Sequence, residues 1–287
     1  MQKFILYCGT VKLGLSSLLF VNNSIEESIR ISSEVGAGCI EIIYDVPHFP
    51  PDYDHHKLSA VRKLLENYDL GVSVHASFWD LNPASHHREL WELSLKQIKR
   101  SVDACRSLGG EITVVHFGKC PIPEARLLEG AKQRYREFLG KCLPYAQDRG
   151  VILAIENAGR ILHSYPPTIR ELKQLVQELE GAKVTFDIGH AHLTERRAGK
   201  GTTEAMIAEH IRNMREQIVH LHIHDNQGRM DDHLPPGDGK INFKPIIDAI
   251  REIKYDGFII AEFWDPQYPL ETAQKGMERL KKLFKTS

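Results

Sequence analysis

Short apolar runs of strand period alternate eight times with longer stretches of helical period along the 287-residue chain, and this alternation limits the fold more than any other feature. The strand-like runs are 12–16, 39–43, 71–76, 112–117, 151–156, 183–187, 218–224 and 257–263. Helical stretches follow at 24–35, 55–68, 88–108, 125–148, 167–179, 202–215, 243–253 and 268–284. Ser24 with Glu27 forms a capping-box signal, Pro167–Thr168 marks another helix start, and Gly36, Gly109, Gly150 and Gly181 mark ends. Units of about 30 to 35 residues with no break in composition predict an α/β chain folded as a single-domain (β/α)8, or TIM, barrel. Residues 12–287 form that barrel in this reading, and residues 1–11 are an N-terminal extension. A doubly wound open sheet would carry a glycine-rich first turn, which is absent.

A barrel keeps its reacting groups at the carboxyl ends of its strands. The third to eighth runs end in or beside His75, His116, Glu156, Asp187 with His190, His222 with Asp225, and Glu262. A lone Glu or His at a strand end is more often a hydrogen-bonded loop residue than a ligand. Six successive strands cannot be read that way, because burying so many ionisable groups at one rim is costly unless they are paired or bind cations. The seventh run is the densest: His220, His222 and His224 share one face, and Asp231, Asp232 and His233 follow before a Pro–Pro–Gly turn. Imidazoles and carboxylates converging in this way predict a divalent metal, zinc or manganese rather than calcium. His220 and His224 are read as hydrogen-bonding neighbours of His222 rather than as ligands.

Composition narrows the partners. With 37 basic and 38 acidic residues the net charge is −1, which counts against a nucleic-acid-binding tail. Five cysteines, Cys8, Cys39, Cys105, Cys120 and Cys142, form no CxxC pair and read as reduced thiols of a cytoplasmic protein. No apolar run is long enough to span a membrane.

The ordered segments HASFWDLNPAS, VVHFG, AIENAG, TFDIGHAHL, HLHIHDNQGRMDDHLPPGDGKINF and IIAEFW resemble the xylose-isomerase-like barrel superfamily, which holds sugar isomerases and epimerases as well as endonuclease IV. The resemblance runs from about residue 12 to the C-terminus. It carries two implications. In the ketose-epimerase branch one divalent ion is held by positions matching Glu156, Asp187, His222 and Glu262. The two glutamates, Glu156 and Glu262, then exchange a proton with the carbon beside a metal-polarised carbonyl. In the endonuclease IV branch up to three zinc ions are held by those four residues with His75, His116, His190, Asp231 and His233. That branch is a phosphodiesterase acting at abasic sites in DNA.

The sugar branch is the preferred expectation. The loop 41–56 carries Glu41, Asp45, Asp52 and Asp54, whose charge would repel phosphates, and Glu41 resembles the sugar-enzyme pattern. The family epimerases often place another acid shortly after the strand-five Glu, whereas NAGRILH stands here. A small-molecule sugar, phosphorylated or not, is the expected substrate, with His75, His116, His190, Arg229 and Trp79 as binding residues. Arg196, Arg197, Lys200 and Gly201 form a candidate phosphate site before a helix. Rim aromatics Tyr44, Phe49, Phe78, Trp79, Phe263 and Trp264 suit stacking on a sugar, packing, or a homo-oligomer contact.

Overall fold

The computed structural model describes residues 11–285 except 121, 123, 160–163, 166–167 and 196–201. The proposed N-terminal extension, apart from Val11, and the candidate phosphate site at Arg196, Arg197, Lys200 and Gly201 lie outside the described residues.

The described strands are β1 (Lys12–Ser16), β2 (Cys39–Ile43), β3 (Gly71–His75), β4 (Ile112–Val115), β5 (Gly118–Lys119), β6 (Ile152–Glu156), β7 (Ser164–Tyr165), β8 (Lys183–Asp187), β9 (Ile218–Ile223) and β10 (Phe258–Ala261). Eight of them are parallel and close into a barrel in the order β1-β10-β9-β8-β6-β4-β3-β2. This is the (β/α)8 barrel that the alternation predicts, with each barrel strand inside its predicted range and at most two residues shorter at its carboxyl end. The helices are α1 (Ile25–Glu34), α2 (Leu58–Asn67), α3 (Arg88–Leu108), α4 (Ala125–Gln147), α5 (Ile169–Glu178), α6 (Ile188–Glu195), α7 (Thr203–Asn213), α8 (Phe243–Glu252) and α9 (Pro269–Lys285). Among the described residues, no helix is long and apolar enough to cross a membrane.

Local chemistry sets the boundaries. Ser24 Oγ accepts the Glu27 N–H and Glu27 Oε2 accepts the Ser24 N–H, which completes the capping box of α1. Thr168 caps α5 by accepting the Glu171 N–H. Gly109 ends α3 at φ 85°, a left-handed conformation that glycine adopts without a Cβ penalty. Two features depart from the sequence reading. The sixth unit has an additional helix, α6, starting directly after β8, because Asp187 Oδ1 accepts the His190 N–H at 2.6 Å and caps its first turn. The short strands β5 and β7 pair antiparallel beyond the ends of β4 and β6, outside the barrel.

Strand alternation divides the core into two layers. Val72, Val74, Leu153, Ile155, Val184, Phe186, Leu221 and Ile223 are buried on the outward faces beneath the helices. Each such side chain stabilises the fold by about 1.5–3 kcal/mol. The inward ladder carries polar groups at its upper levels: Ser16 is level with Glu41, Glu41 with Ser73, Glu156 with Thr185, and Thr185 with His220. Between β8 and β9 the register slips by one residue: Val184 pairs with Ile218, but Thr185 pairs with His220.

Candidate metal centre

Glu156 and Asp187 are the last residues of β6 and β8, His222 is the penultimate residue of β9, and Glu262 follows β10 directly. All four are buried, and one donor atom from each lies within 4.8 Å of the others. His222 Nδ1 is 3.3 Å from Glu156 Oε1, 3.4 Å from Glu262 Oε2 and 3.8 Å from Asp187 Oδ2. A second group joins it through Glu156, whose Oε2 is 3.1 Å from His116 Nε2 and 3.5 Å from His75 Nε2. The third comprises His190, His224, Asp231 and His233. There Asp231 Oδ2 is 2.9 Å from His190 Nε2 and 3.3 Å from His233 Nε2, and Asp231 Oδ1 is 3.6 Å from His224 Nε2. All nine residues named as candidate ligands therefore meet at the carboxyl end of the barrel.

Backbone carbonyls at Nδ1 set the tautomer of three of these rings, and His190 Nδ1 is also 3.2 Å from Glu156 Oε1. His75 Nδ1 is 3.0 Å from the Ala76 carbonyl, His190 Nδ1 is 3.0 Å from the Asn157 carbonyl, and His233 Nδ1 is 2.7 Å from the Glu262 carbonyl. A carbonyl can only accept, so each Nδ1 carries the proton in the neutral ring and each Nε2 turns a lone pair toward the carboxylates. Among the described residues, Glu156 Oε2 and Asp187 Oδ2 are buried without a hydrogen-bond partner, as are both ring nitrogens of His224. The mixed imidazole and carboxylate donors, the preset tautomers and the orphaned oxygens together fit zinc- or manganese-class ions.

The electrostatics agree. Burial pushes the Glu156 carboxyl up, but the His116 charge beside it and hydrogen bonds from His190 and His222 hold it well below the usual carboxylate range. Burial likewise raises Asp187, and the His190 and His224 charges outweigh it, leaving the group at about 2. Burial lowers His190 and His222, yet Asp187 and Asp231 raise the former and Glu262 and Glu41 raise the latter, both well above the ordinary imidazole value. Without a metal, protons on these rings balance the buried carboxylates. A divalent cation would take over that balance.

Above the carboxylates lies a cavity of about 320 Å³, at the small end of ligand pockets. His75, His116, His190, Glu156 and Glu262 face it, with Phe78, Trp79 and Trp264 among its walls. Trp79 and Trp264 are about half exposed, at 44% and 45%, and stand at its mouth. Arg229, a candidate substrate residue, is solvent-exposed and is not part of the cavity wall.

Several side chains carry roles that the sequence reading did not give them. His224, set aside as a hydrogen-bonding neighbour, sits in the third donor group, 3.3 Å from Asp187 Oδ1. Its position on the His220–His222 face was the available signal. Asp225, read as a strand-end acid, is turned from the centre and accepts the backbone N–H groups of Asn226, Gly237, Gly239 and Ile241. The acidic loop is also less repulsive than its sequence suggests. Glu41 is inside the barrel, and the buried Asp45 carboxylate is spent on the Phe78 and Trp79 N–H groups, so only Asp52 and Asp54 of the four face solvent.

Comparison with known proteins gives a consistent result. The family model described as xylose isomerase-like TIM barrel matches residues 29–283. The chain is 30% identical to uncharacterized protein MJ1311 of Methanocaldococcus jannaschii, over 88% of this chain and 83% of that protein. It is 23% identical to fructoselysine 3-epimerase of Shigella flexneri, over 91% of this chain and 93% of the enzyme. A solved D-tagatose 3-epimerase-like protein superposes with a TM-score of 0.82 at 28% identity, covering 96% of this chain and 97% of that one. With the fold, the strand-end donors and a family match that spans most of its length, the chain belongs to the xylose isomerase-like TIM barrel family.

Proposed function

We propose that this protein is a divalent-metal-dependent isomerase or epimerase of a small sugar or sugar phosphate. The observation that supports it most directly is the meeting of Glu156 and Glu262 in one donor group at the floor of an aromatic-walled cavity of sugar size. The similarity to named sugar epimerases points the same way.

Glu156, Asp187, His222 and Glu262 would hold the ion, which when bound supplies Lewis-acid polarisation of a ketose carbonyl and fixes its orientation. One of the two glutamates removes the proton from the adjacent carbon, and the other, in its acid form, returns a proton to the opposite face or to the neighbouring carbon. The proton lost and the proton gained balance, so no co-reactant is required. His190, which lines the cavity with its Nε2 against Asp231, is placed to hold a sugar hydroxyl together with that carboxylate. Trp79, Phe78 and Trp264 cover the apolar face of the ring and limit access of bulk water.

Ketoses incubated with manganese-loaded protein in deuterium oxide test this reading. Metal-dependent deuterium uptake next to the carbonyl is expected, and it should disappear in Glu156→Gln or Glu262→Gln. Uptake that persists in both variants overturns the proton-transfer assignment.

A second reading has its own support in three of the donor groups, which bring together His75, His116, Glu156, Asp187, His190, His222, Asp231, His233 and Glu262, with His224 beside them. It is a multi-zinc phosphodiesterase acting at abasic DNA sites, and the burial of Glu41 and Asp45 removes part of the charge argument against it. Three zinc ions per chain together with chelator-sensitive, salt-sensitive nicking of an abasic duplex would favour it over the isomerase.

A further inference from the structure

Behind His222 the barrel interior holds a further, fully buried polar group in which Glu41, Ser73 and His220 join that ring. His222 Nε2 is 3.1 Å from Glu41 Oε1 and 3.3 Å from Oε2. Ser73 donates to Glu41 Oε2 at 3.3 Å, and His220 Nε2 is 3.0 Å from Ser73 Oγ and 3.4 Å from Glu41 Oε2. Ser73, His220 and the ring of His222 thus converge on Glu41 Oε2, while Oε1, also close to His222, makes no hydrogen bond among the described residues.

An ionised carboxylate only accepts hydrogen bonds, so the ring nitrogen facing Glu41 must carry a proton. In the neutral ring this leaves Nδ1 as a bare lone pair. That lone pair points at Glu156, Glu262 and Asp187, three carboxylates at 3.3–3.8 Å. A lone pair facing three anions is unfavourable unless a cation lies between them.

We infer that Glu41 is a positioning residue that, through His222 Nε2–H, fixes the tautomer and tilt of His222 so that Nδ1 is its metal-binding nitrogen, with Ser73 and His220 holding the Glu41 carboxylate in place. The inference rests on the metal-centre reading given above. It goes further by assigning a role to a residue on the opposite wall of the barrel and by naming the nitrogen that binds. A hydrogen-bonded carboxylate behind a ligating imidazole raises its basicity, and loss of such a partner typically weakens metal affinity by about 10–100-fold.

The test measures ion affinity rather than turnover. Wild type and Glu41→Gln are titrated with cobalt(II), followed by its visible absorption, and with zinc in competition with a chromophoric chelator, and the unfolding temperature of each metal-free protein is recorded. The expected result is affinity lower by about 10–100-fold and an altered cobalt spectrum in Glu41→Gln, at an unfolding temperature within a few degrees of wild type. Unchanged affinity and spectrum overturn the role of Glu41 and leave the metal-centre reading standing. No ion bound by wild type overturns both. If Glu41→Gln does not fold, nitrogen chemical shifts of zinc-loaded wild type labelled at histidine decide the matter. A His222 ring protonated at Nε2 and metal-bound at Nδ1 supports the inference, and the reverse assignment overturns it.

Discussion

Asp225 Oδ2 accepts the Gly239 N–H at 3.0 Å, and a Cβ on Gly239 would overlap that same carboxylate. Around this pair Asp225 also binds the N–H groups of Asn226, Gly237 and Ile241, so one buried side chain sets the course of the loop that carries Asp231 and His233. Asp225→Ala leaves several of these donors without an acceptor and should cost at least about 3 kcal/mol of stability. Gly239→Ala should also destabilise, by forcing the carboxylate away. Denaturant titration of both variants checks this, and stability equal to wild type would show that the loop holds its shape without Asp225.

Removal of metal should weaken the whole barrel. Glu156, Asp187 and Glu262 are buried with donor atoms within 4.8 Å of one another, so a bound ion relieves their mutual repulsion. Saturation at a hundredfold excess over the dissociation constant stabilises by about 2.7 kcal/mol. The unfolding temperature is expected to fall on treatment with EDTA and to recover when manganese or zinc is added back. An unfolding temperature indifferent to both treatments argues against a metal centre.

The metal-free and metal-loaded proteins should respond to pH in opposite directions. Burial lowers His233, but its hydrogen bond and charge attraction to Asp231 dominate and raise it to about 9. Because this folded value lies above that of the unfolded chain, the stabilisation from the pair is complete below about pH 6.5 and disappears as pH rises through 9. Asp231 is held below the ordinary carboxylate range, so acidification removes the same pair from the other side. Metal-free protein should therefore lose stability between about pH 7 and 9, whereas ion affinity should increase over the same interval as the imidazoles lose protons. Thermal unfolding with and without metal across that range measures both slopes.

The two tryptophans at the cavity mouth should act on binding more than on chemistry. Trp79→Ala or Trp264→Ala removes stacking area worth about 1 kcal/mol and should raise KM roughly fivefold with kcat little changed. A fall in kcat with constant KM would place these rings at the reacting carbon instead.

Much of this arrangement is legible in the sequence because both periods involved are short-range. Val219, Leu221 and Ile223 alternate with three histidines, which sets the parity of β9, and Glu156, Asp187 and Glu262 stand where strands end. What parity leaves open is height within the barrel and the identity of neighbours across it. Glu41 faces His222 across 181 sequence positions, and no local pattern announces that pairing. His224 shares its face with His222 but reaches a different donor group because it lies past the end of β9, beside the loop that brings in Asp231 and His233. Asp225 and Asp45 carry the composition of ligands or of a charged surface. Backbone N–H groups from distant loops made them braces.

The slip between β8 and β9 has a consequence for every step above it. Carried on without the extra residue at Val219, the pairing of Val184 with Ile218 would set Asp187 abreast of Leu221, whose side chain belongs to the layer beneath the helices. With the extra residue, Asp187 is abreast of His222, and both point inward. One surplus residue near the bottom of the barrel thus acts as a phase shifter between two neighbouring strands, and it lies some distance from any group it brings together. Deletion of Val219 would leave the composition of the donor set intact while moving His222 out of phase with Asp187.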